Sequence, residues 1–294
     1  MAVQYSSLPD GIDITARQMN FQHVEGKPKY WHHGDPFMTH MLTSASIFFP
    51  EGERFFIRSV RNYQHKITDP KLQKDIRGFM AQEATHGDEH EIYNQDVINQ
   101  GYTFLAPVER IVKYGLAGLN KYSPKMFQLA TTVCLEHITA IGSNALLENP
   151  ELMDGVEPEY KEIWNWHAIE ETEHKAVAFD VYSAIDGKHW VKVIAMVLAS
   201  LSFIPGVIFL LGRFLQKDGI LFDKSVWRGV KEYHADKGHI FDKLKADYLA
   251  FYKKDFHPWQ LDNSELVREW KDMYERTGKA AAASEVLPED KVLP

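Results

Sequence analysis

The sequence has a single cysteine, Cys134, in 294 residues. One cysteine excludes an internal disulfide framework and is typical of a reducing compartment, so we expect a cytoplasmic protein. The chain also has no basic stripe, and its net charge of -8 gives no reason to expect nucleic acid as a partner. Its first residues show no basic stretch followed by an apolar one, and we therefore predict no secretory signal.

Alternating apolar and polar residues, the pattern of strands, are also missing, as is any repeat of fixed period. Apolar residues make up 45% of the chain, enough to bury a substantial core, and they recur at helical spacing. This pattern predicts an all-α fold. We divide the chain into an N-terminal arm (1–34), a helical domain (35–278) with an apolar segment (191–215), and a disordered tail (279–294).

Four long helices are predicted from their start signals. An N-cap followed by proline is typical of a helix start, and a proline further along interrupts or restarts a helix. The starts are Asp35-Pro36 with a restart near Pro50 and Gly52, Asp69-Pro70, Ser123-Pro124, and Pro158. We expect the fourth helix to continue without a break to about residue 185.

Two Glu-x-x-His pairs lie in the middle of long predicted helices: Glu83 with His86, and Glu171 with His174. Residues three apart share a helix face, so both side chains of a pair can bind one ion. Each pair lies on the same helix face as the apolar residues of its own helix. Burying a carboxylate is costly unless a partner neutralises it, and a metal is such a partner. The alternative is a plain pair on a helix surface.

The two other helices each offer one inward carboxylate, Glu53 and Glu136. The resulting order along four helices is the ligand set of the ferritin-like dinuclear carboxylate proteins, and it predicts a ferritin-like four-helix bundle with additional C-terminal helices. Four carboxylates match two divalent cations, and oxygen and nitrogen donors favour iron, with manganese as the second choice. The predicted catalytic and metal-binding residues are Glu53, Glu83, His86, Glu136, Glu171 and His174.

Further histidines lie close to this set. His167 lies four residues before Glu171 on the same face, and we predict that it is a third histidine ligand; a hydrogen-bond partner of a ligand and a core histidine are the alternatives. His90 is expected to lie beside the site without binding a metal, and His137 to point away from it. Three glutamates lie next to predicted ligands but on other helix faces, and we interpret them as solvated or as hydrogen-bond partners of the ligands: Glu51, Glu170 and Glu173.

Four segments carry a resemblance: YWHHGDPFMTHMLTS, FPEGERFFIRSVRNY, GFMAQEATHGDEH and WHAIEETEHKAVAFDVY. They resemble a bacterial family described as predicted metal-dependent hydrolases, over residues 15 to 275. The resemblance implies metal-dependent chemistry. The spacing His167-x3-Glu171-x2-His174 also resembles the arylamine N-oxygenases, which carry an additional histidine ligand one turn before the second Glu-x-x-His. Little else is shared with those enzymes, so no N-oxygenation substrate is implied.

Three functions compete. Ligands at mid-helix with an apolar lining favour O2-dependent oxidation or oxygenation of a small apolar organic substrate by a di-iron centre, because water would be kept from a reactive site. The first alternative is hydrolysis by a metal-activated water. The second is a metal storage or redox protein, which we expect less because storage cages are built from compact bundles without long C-terminal extensions.

Residues 193–212 contain no charged side chain and are long enough to cross a bilayer at about 1.5 Å per residue. Lys192 and Arg213 flank this run. It could be a buried helix pair, a homodimer interface, a hairpin in the membrane surface or a true span. We predict a helix broken at Pro205, with an exposed apolar surface that meets a second subunit or lipid.

Overall fold

The computed structural model of the chain describes residues 6–19 and 27–278. The predicted disordered tail, 279–294, lies outside them. The described residues are all-α: apart from one isolated bridge between His32 and Val156 they contain no strand. The helices are α1 (Pro36–Ser46), α2 (Phe49–Gln64), α3 (Pro70–Asn99), α4 (Leu105–Tyr122), α5 (Lys125–Glu148), α6 (Pro158–His174), α7 (Val177–Ala184), α8 (His189–Lys217), α9 (Lys224–Ala250) and α10 (Ser264–Thr277).

The capping geometry confirms most predicted helix starts. Asp35 accepts hydrogen bonds from the backbone of α1, and Asp69 does the same for α3, each followed by proline in the first turn. Pro50 lies in the first turn of α2, so the helix restarts there. The prediction for Ser123 is wrong: its hydroxyl donates to Leu119 O at 2.6 Å and ends α4, while α5 follows without a side-chain cap.

Helices α2, α3, α5 and α6 pack in a ring in which each contacts two others, and α8 covers α5 and α1. Along α3, buried residues recur every three or four positions, as expected for one inward face. The layer around Glu83 and His86 is polar, while the layers before and after it belong to two separate apolar cores. A buried polar layer therefore lies between two apolar ones.

Residues 6–19, the first described stretch of the N-terminal arm, pack against the bundle without forming a helix. A Cβ on Gly78 of α3 would lie 2.4 Å from the carbonyl oxygen of Ile14, so the close approach of the arm requires glycine there. Ser6 Oγ also donates to Asp75 at 2.6 Å. These contacts place Arg17 of the arm beside α6.

Two expectations about helix continuity are wrong. The predicted fourth helix ends at His174 and a separate helix, α7, begins at Val177. Between them Lys175 Nζ donates to Leu261 O at 2.6 Å and to Asn263 Oδ1 at 2.7 Å, which holds the break without a proline or glycine.

Helix α8 was expected to break at Pro205, but it continues through that residue. The proline leaves the carbonyl of Leu201 without its helical donor, and the loss of this single hydrogen bond does not end α8. By length and composition α8 could cross a membrane, and only 22% of its most apolar stretch is buried in the protein. It is therefore neither a buried helix pair nor an ordinary surface helix.

Candidate metal centre

The seven predicted ligands converge in the polar layer of the bundle. Each is at most 3% exposed. Their donor atoms form two sets, in each of which all lie within 4.8 Å of one another, namely Glu53, His86 and His167, and Glu83, Glu171 and His174. The seventh, Glu136, joins the second set with Oε2 3.5 Å from His174 Nε2. Two adjacent clusters of carboxylate and imidazole are the arrangement that a dinuclear site requires.

Glu171 lies between the two sets. Its Oε1 is 3.6 Å from His86 Nδ1, 3.3 Å from His167 Nε2 and 3.5 Å from His174 Nε2. On the other side of His174, the Nε2 atom lies 2.9 Å from Glu83 Oε1. Glu171 is therefore the side chain that lies close to donors of both sets.

The donor atoms fit a metal because many of them have no other partner. Among the described residues, both carboxylate oxygens of Glu53 and of Glu136 are buried without a hydrogen bond, as are Glu171 Oε2 and His86 Nδ1. Unpaired buried carboxylates are strongly unfavourable, so such a set implies a cation. Oxygen and imidazole donors without thiolate suit iron or manganese.

The charges of the cluster are coupled. Burial and the Glu83 carboxylate raise the pKa of Glu53 well above its ordinary value. Burial would also raise the pKa of Glu171, but the surrounding imidazoles outweigh it and hold that pKa well below the usual range. Burial would lower the pKa of His86, but its contacts with Glu170 and Glu171 raise it to about 10. A cation that binds here must therefore displace protons.

His86 and His174 each have one ring nitrogen that points away from the cluster. Hydrogen bonds connect both of these nitrogens to one residue, Arg17. His86 Nε2 donates to Glu170 Oε2 at 3.1 Å, and Glu170 Oε1 accepts from Arg17 at 3.0 Å. His174 Nδ1 donates to Gln82 Oε1 at 2.9 Å, which leaves Nε2 free to face the cluster.

Gln82 Nε2 in turn donates to Glu173 Oε2 at 2.7 Å, and Glu173 Oε1 accepts from Arg17 at 2.6 Å. Arg17 also lies over the ring of Trp270, 5.1 Å from its centroid. One guanidinium in the N-terminal arm thus orients the imidazoles of α3 and α6 through two carboxylates, as partners of metal-binding histidines commonly do.

The proton position on His167 follows from a chain of hydrogen bonds. Asn94 Nδ2 donates to Ser46 O, so Asn94 Oδ1 must accept from Ser46 Oγ, at 2.7 Å. Ser46 Oγ then accepts from His90 Nδ1 at 2.8 Å. His90 Nε2 is left to accept from His167 Nδ1, also at 2.8 Å. The Nε2 lone pair of His167 therefore faces the cluster, the orientation that a ligand needs.

A glycine on α3 leaves space in the centre for the Glu53 carboxylate of α2. A Cβ on Gly87 of α3 would lie 3.1 Å from Glu53 Oε2 and 3.6 Å from Pro50 O. A side chain at position 87 would crowd the Glu53 carboxylate, so Gly87 leaves room for that carboxylate in the cluster.

An apolar cavity leads to the centre. Its volume is about 530 Å³, and among the described residues no Asp, Glu, Lys or Arg lines it. A smaller cavity of about 40 Å³ lies against Glu53 and Glu171 and shares Phe49, His167 and Phe203 with the larger one. The Phe49 ring stacks on His167 with centroids 4.9 Å apart. An apolar molecule in the cavity would reach the cluster past Phe49 and His167.

Some participants were missed or misassigned from the sequence. Glu170 and Glu173 were interpreted as solvated or supporting; both are fully buried, so the solvated alternative is wrong. His90 contacts His167, and His137 faces away with Nε2 3.1 Å from Asp247 O, both as predicted. Arg17 was missed. No sequence signal pointed to it, because the arm has no periodic pattern. Glu170 and Glu173 were misassigned because α6 is buried on every side from 163 to 174.

A family model described as "Predicted metal-dependent hydrolase" matches residues 15–262. No curated protein and no solved structure matches the chain. The family match agrees with the resemblance of the sequence motifs. Its description favours hydrolysis, held above as the alternative, over oxidation.

Proposed function

The chain belongs to the family of predicted metal-dependent hydrolases, and we propose that it is a dinuclear metal enzyme acting on an apolar organic substrate. The observation that carries this proposal is the juxtaposition of two donor clusters with a cavity that lacks charged lining residues among those described. A buried polar site at the end of an apolar pocket is the usual form of a small-molecule enzyme site.

The residues divide between the two ions. Glu53, His86 and His167 would hold the first ion, and Glu83, Glu136 and His174 the second, while Glu171 lies near donors of both sets. Such ions, when bound, supply Lewis acidity and an acidified water or, if they are iron, redox chemistry with O2. The chain itself orients the imidazoles through Arg17 and His90, and Phe49 stacks on His167 where the two cavities meet.

Hydrolysis is the first candidate reaction, because the family description names it. It would require water to reach the centre beside the substrate. Ser143 and Thr139 have hydroxyl groups in the cavity lining. The Ser143 hydroxyl could donate to a substrate carbonyl oxygen, whereas the Thr139 hydroxyl already donates to the α5 backbone and could only accept from a water. An ester or amide with an apolar acyl group is the substrate class that this lining fits.

Oxidation is the second candidate, and the position of the donors favours it. All seven lie on helices inside the bundle and are at most 3% exposed, whereas a hydrolytic site is expected to be open to water. Iron is the metal that this reaction would need. A storage or redox role is the third candidate and gives no reason for an apolar cavity beside the metals.

Two assays on metal-reconstituted protein separate these reactions. Anaerobic cleavage of a p-nitrophenyl ester with an apolar acyl chain, lost in Glu136→Ala, would identify hydrolysis. O2 uptake that is coupled to the loss of an added apolar substrate, and lost in the same variant, would identify oxidation. Metal uptake with neither activity across a panel of apolar substrates would contradict an enzyme and favour storage.

A further inference from the structure

The outer face of α8 is apolar along its length. We call six of its residues the α8 stripe; they are between 43% and 67% exposed, namely Ile194, Leu198, Leu201, Ile204, Ile208 and Phe209. They follow one another at spacings of one to four residues on one side of the helix and extend over about 23 Å at 1.5 Å per residue. A continuous exposed apolar surface of this size marks a contact with a membrane or another molecule.

The opposite face of α8 is fixed to the protein, so the helix cannot pass through a bilayer alone. Residues such as Met196 and Phe214 are fully buried, and α8 packs on α1 and α5. At the C-terminal end, Asp218 binds His40 Nε2 at 2.7 Å and Tyr102 Oη at 2.9 Å. One buried face and one apolar exposed face are the features of a helix that lies flat in a membrane surface.

The ends of the stripe have the residues that lipid headgroups favour. Trp190 is 65% exposed at one end, next to the exposed Lys188. Arg213 and Lys217 are exposed at the other end, and Phe222, just beyond them, is 90% exposed. Exposed aromatic and cationic residues flanking an apolar stretch are typical of a lipid interface.

A second copy of the chain fits this surface less well. Protein interfaces have polar rims and carry about ten hydrogen bonds. Within α8, which is described throughout, Ser202 is the one exposed polar residue between 191 and 212, and its hydroxyl already donates to Ala199 O at 2.9 Å. The side chains of the stripe thus offer a partner protein no hydrogen-bond donor or acceptor, and lipid chains need none.

We propose that the α8 stripe rests on a lipid bilayer surface. The stripe adjoins the cavity, because Phe203 lies among the stripe residues and lines both the large cavity and the small one beside Glu53. If the proposed function holds, the substrate is an apolar molecule that partitions into lipid and enters past Phe203.

The test is co-sedimentation of the metal-loaded full chain with vesicles of phosphatidylcholine, alone and mixed with phosphatidylglycerol. We expect binding to both, and a loss of at least roughly tenfold in Leu198→Glu/Leu201→Glu, because two exposed leucines would no longer enter the apolar layer. The matched control is Ile111→Glu/Tyr114→Glu on α4, whose side chains are 71% and 72% exposed. It should bind vesicles as the wild type does.

Three results would overturn the proposal: no vesicle binding by the wild type, an equal loss in both variant pairs, or no loss in the stripe pair. A lipid-independent dimer that the stripe pair converts to monomer would also overturn it, since a second copy would then cover α8. Metal content is measured on the same samples. A chain that binds vesicles but no metal would retain this inference and contradict the proposed function.

Discussion

The interior of the bundle and the outer face of α8 invert the usual distribution of residues. Around Glu83 and Glu171 carboxylates and imidazoles fill the space where apolar side chains are expected, while Leu201 and Phe209 lie in the open. Neither region contributes to stability as an ordinary core or surface would. The contrast teaches that both depart from what folding alone requires, and we propose that each needs a partner from outside the chain: a cation inside and an apolar phase outside.

Removing the metal should have the largest effect, because it should destabilise the bundle interior and leave the outer face of α8 unchanged. If two cations neutralise the interior, binding at a thousand times the dissociation constant stabilises the fold by about 4 kcal/mol per ion. Chelation should therefore lower the Tm by on the order of 10 °C, as followed by circular dichroism. Glu53→Gln should reduce this shift, whereas Glu51→Gln, outside the cluster, should not. A Tm that is indifferent to chelator would contradict a metal-dependent interior.

Arg17→Met should have the next largest effect. It leaves Glu170 buried without its cation and Glu173 with only Lys271, 4.0 Å away, and it frees two histidines, so we expect metal affinity to fall roughly 10- to 100-fold. Titration of the chelated protein with Co(II), followed by its visible absorption, measures this directly. Arg268→Met is the control, because Arg268 also joins the arm to α10 but donates to Asp10 O at 3.0 Å. Equal losses in both variants would mean that Arg17 only anchors the arm.

His90→Leu should weaken one ion more than the other. Without an acceptor on residue 90, the Nδ1 proton of His167 is unpaired and the tautomer is no longer fixed, which should cost about tenfold in affinity at the Glu53 side. His90→Gln keeps an acceptor oxygen and should restore most of the binding. Two-phase titration in His90→Leu is the expected result, and unchanged binding at both positions would exclude His167 as a ligand supported by His90.

Lys192→Met should have the smallest effect and sharpens the comparison, since Lys192 is a buried charge outside the metal centre. Burial lowers its pKa to about 8, while its ammonium lies 4.6 Å from the Phe251 ring centroid. Below pH 8 the folded chain keeps this charge buried. Between pH 8 and 10.5 the folded state holds fewer protons than the unfolded state, so the stability of the wild type rises with pH.

The Lys192→Met variant should be about 1 kcal/mol more stable than the wild type at pH 7. The gain is small because cation–π contacts offset part of the cost of burying the charge. Urea unfolding from pH 7 to 10 should also show a flatter profile, and a less stable variant would contradict this account.

The inward faces of the helices could be predicted because they follow local periodicity. Glu53, Glu83 and Glu136 lie in phase with apolar residues of their own helices, and Asp35 and Asp69 cap helices through contacts two or three residues away. Helical periodicity and N-capping, which involve only neighbouring residues, were sufficient to predict these positions.

The supporting residues could not be predicted in the same way. Arg17 and Glu170 are 153 residues apart, and no periodic pattern connects an irregular arm to a helix. The positions of Glu170 and Glu173 on the helix wrongly suggested a solvent-facing side, because α6 is buried on every side from 163 onward. The break after His174 and the continuity of α8 through Pro205 depend on tertiary packing, which overrides local propensity.

The most direct test of the dinuclear centre is metal content after anaerobic reconstitution with Fe(II), or with Mn(II), and removal of free ions. Elemental analysis should find two ions per chain in the wild type and one or fewer in Glu136→Ala. Zero or one ion in both proteins would contradict the central claim that Glu53, Glu83, His86, Glu136, His167, Glu171 and His174 hold two metals.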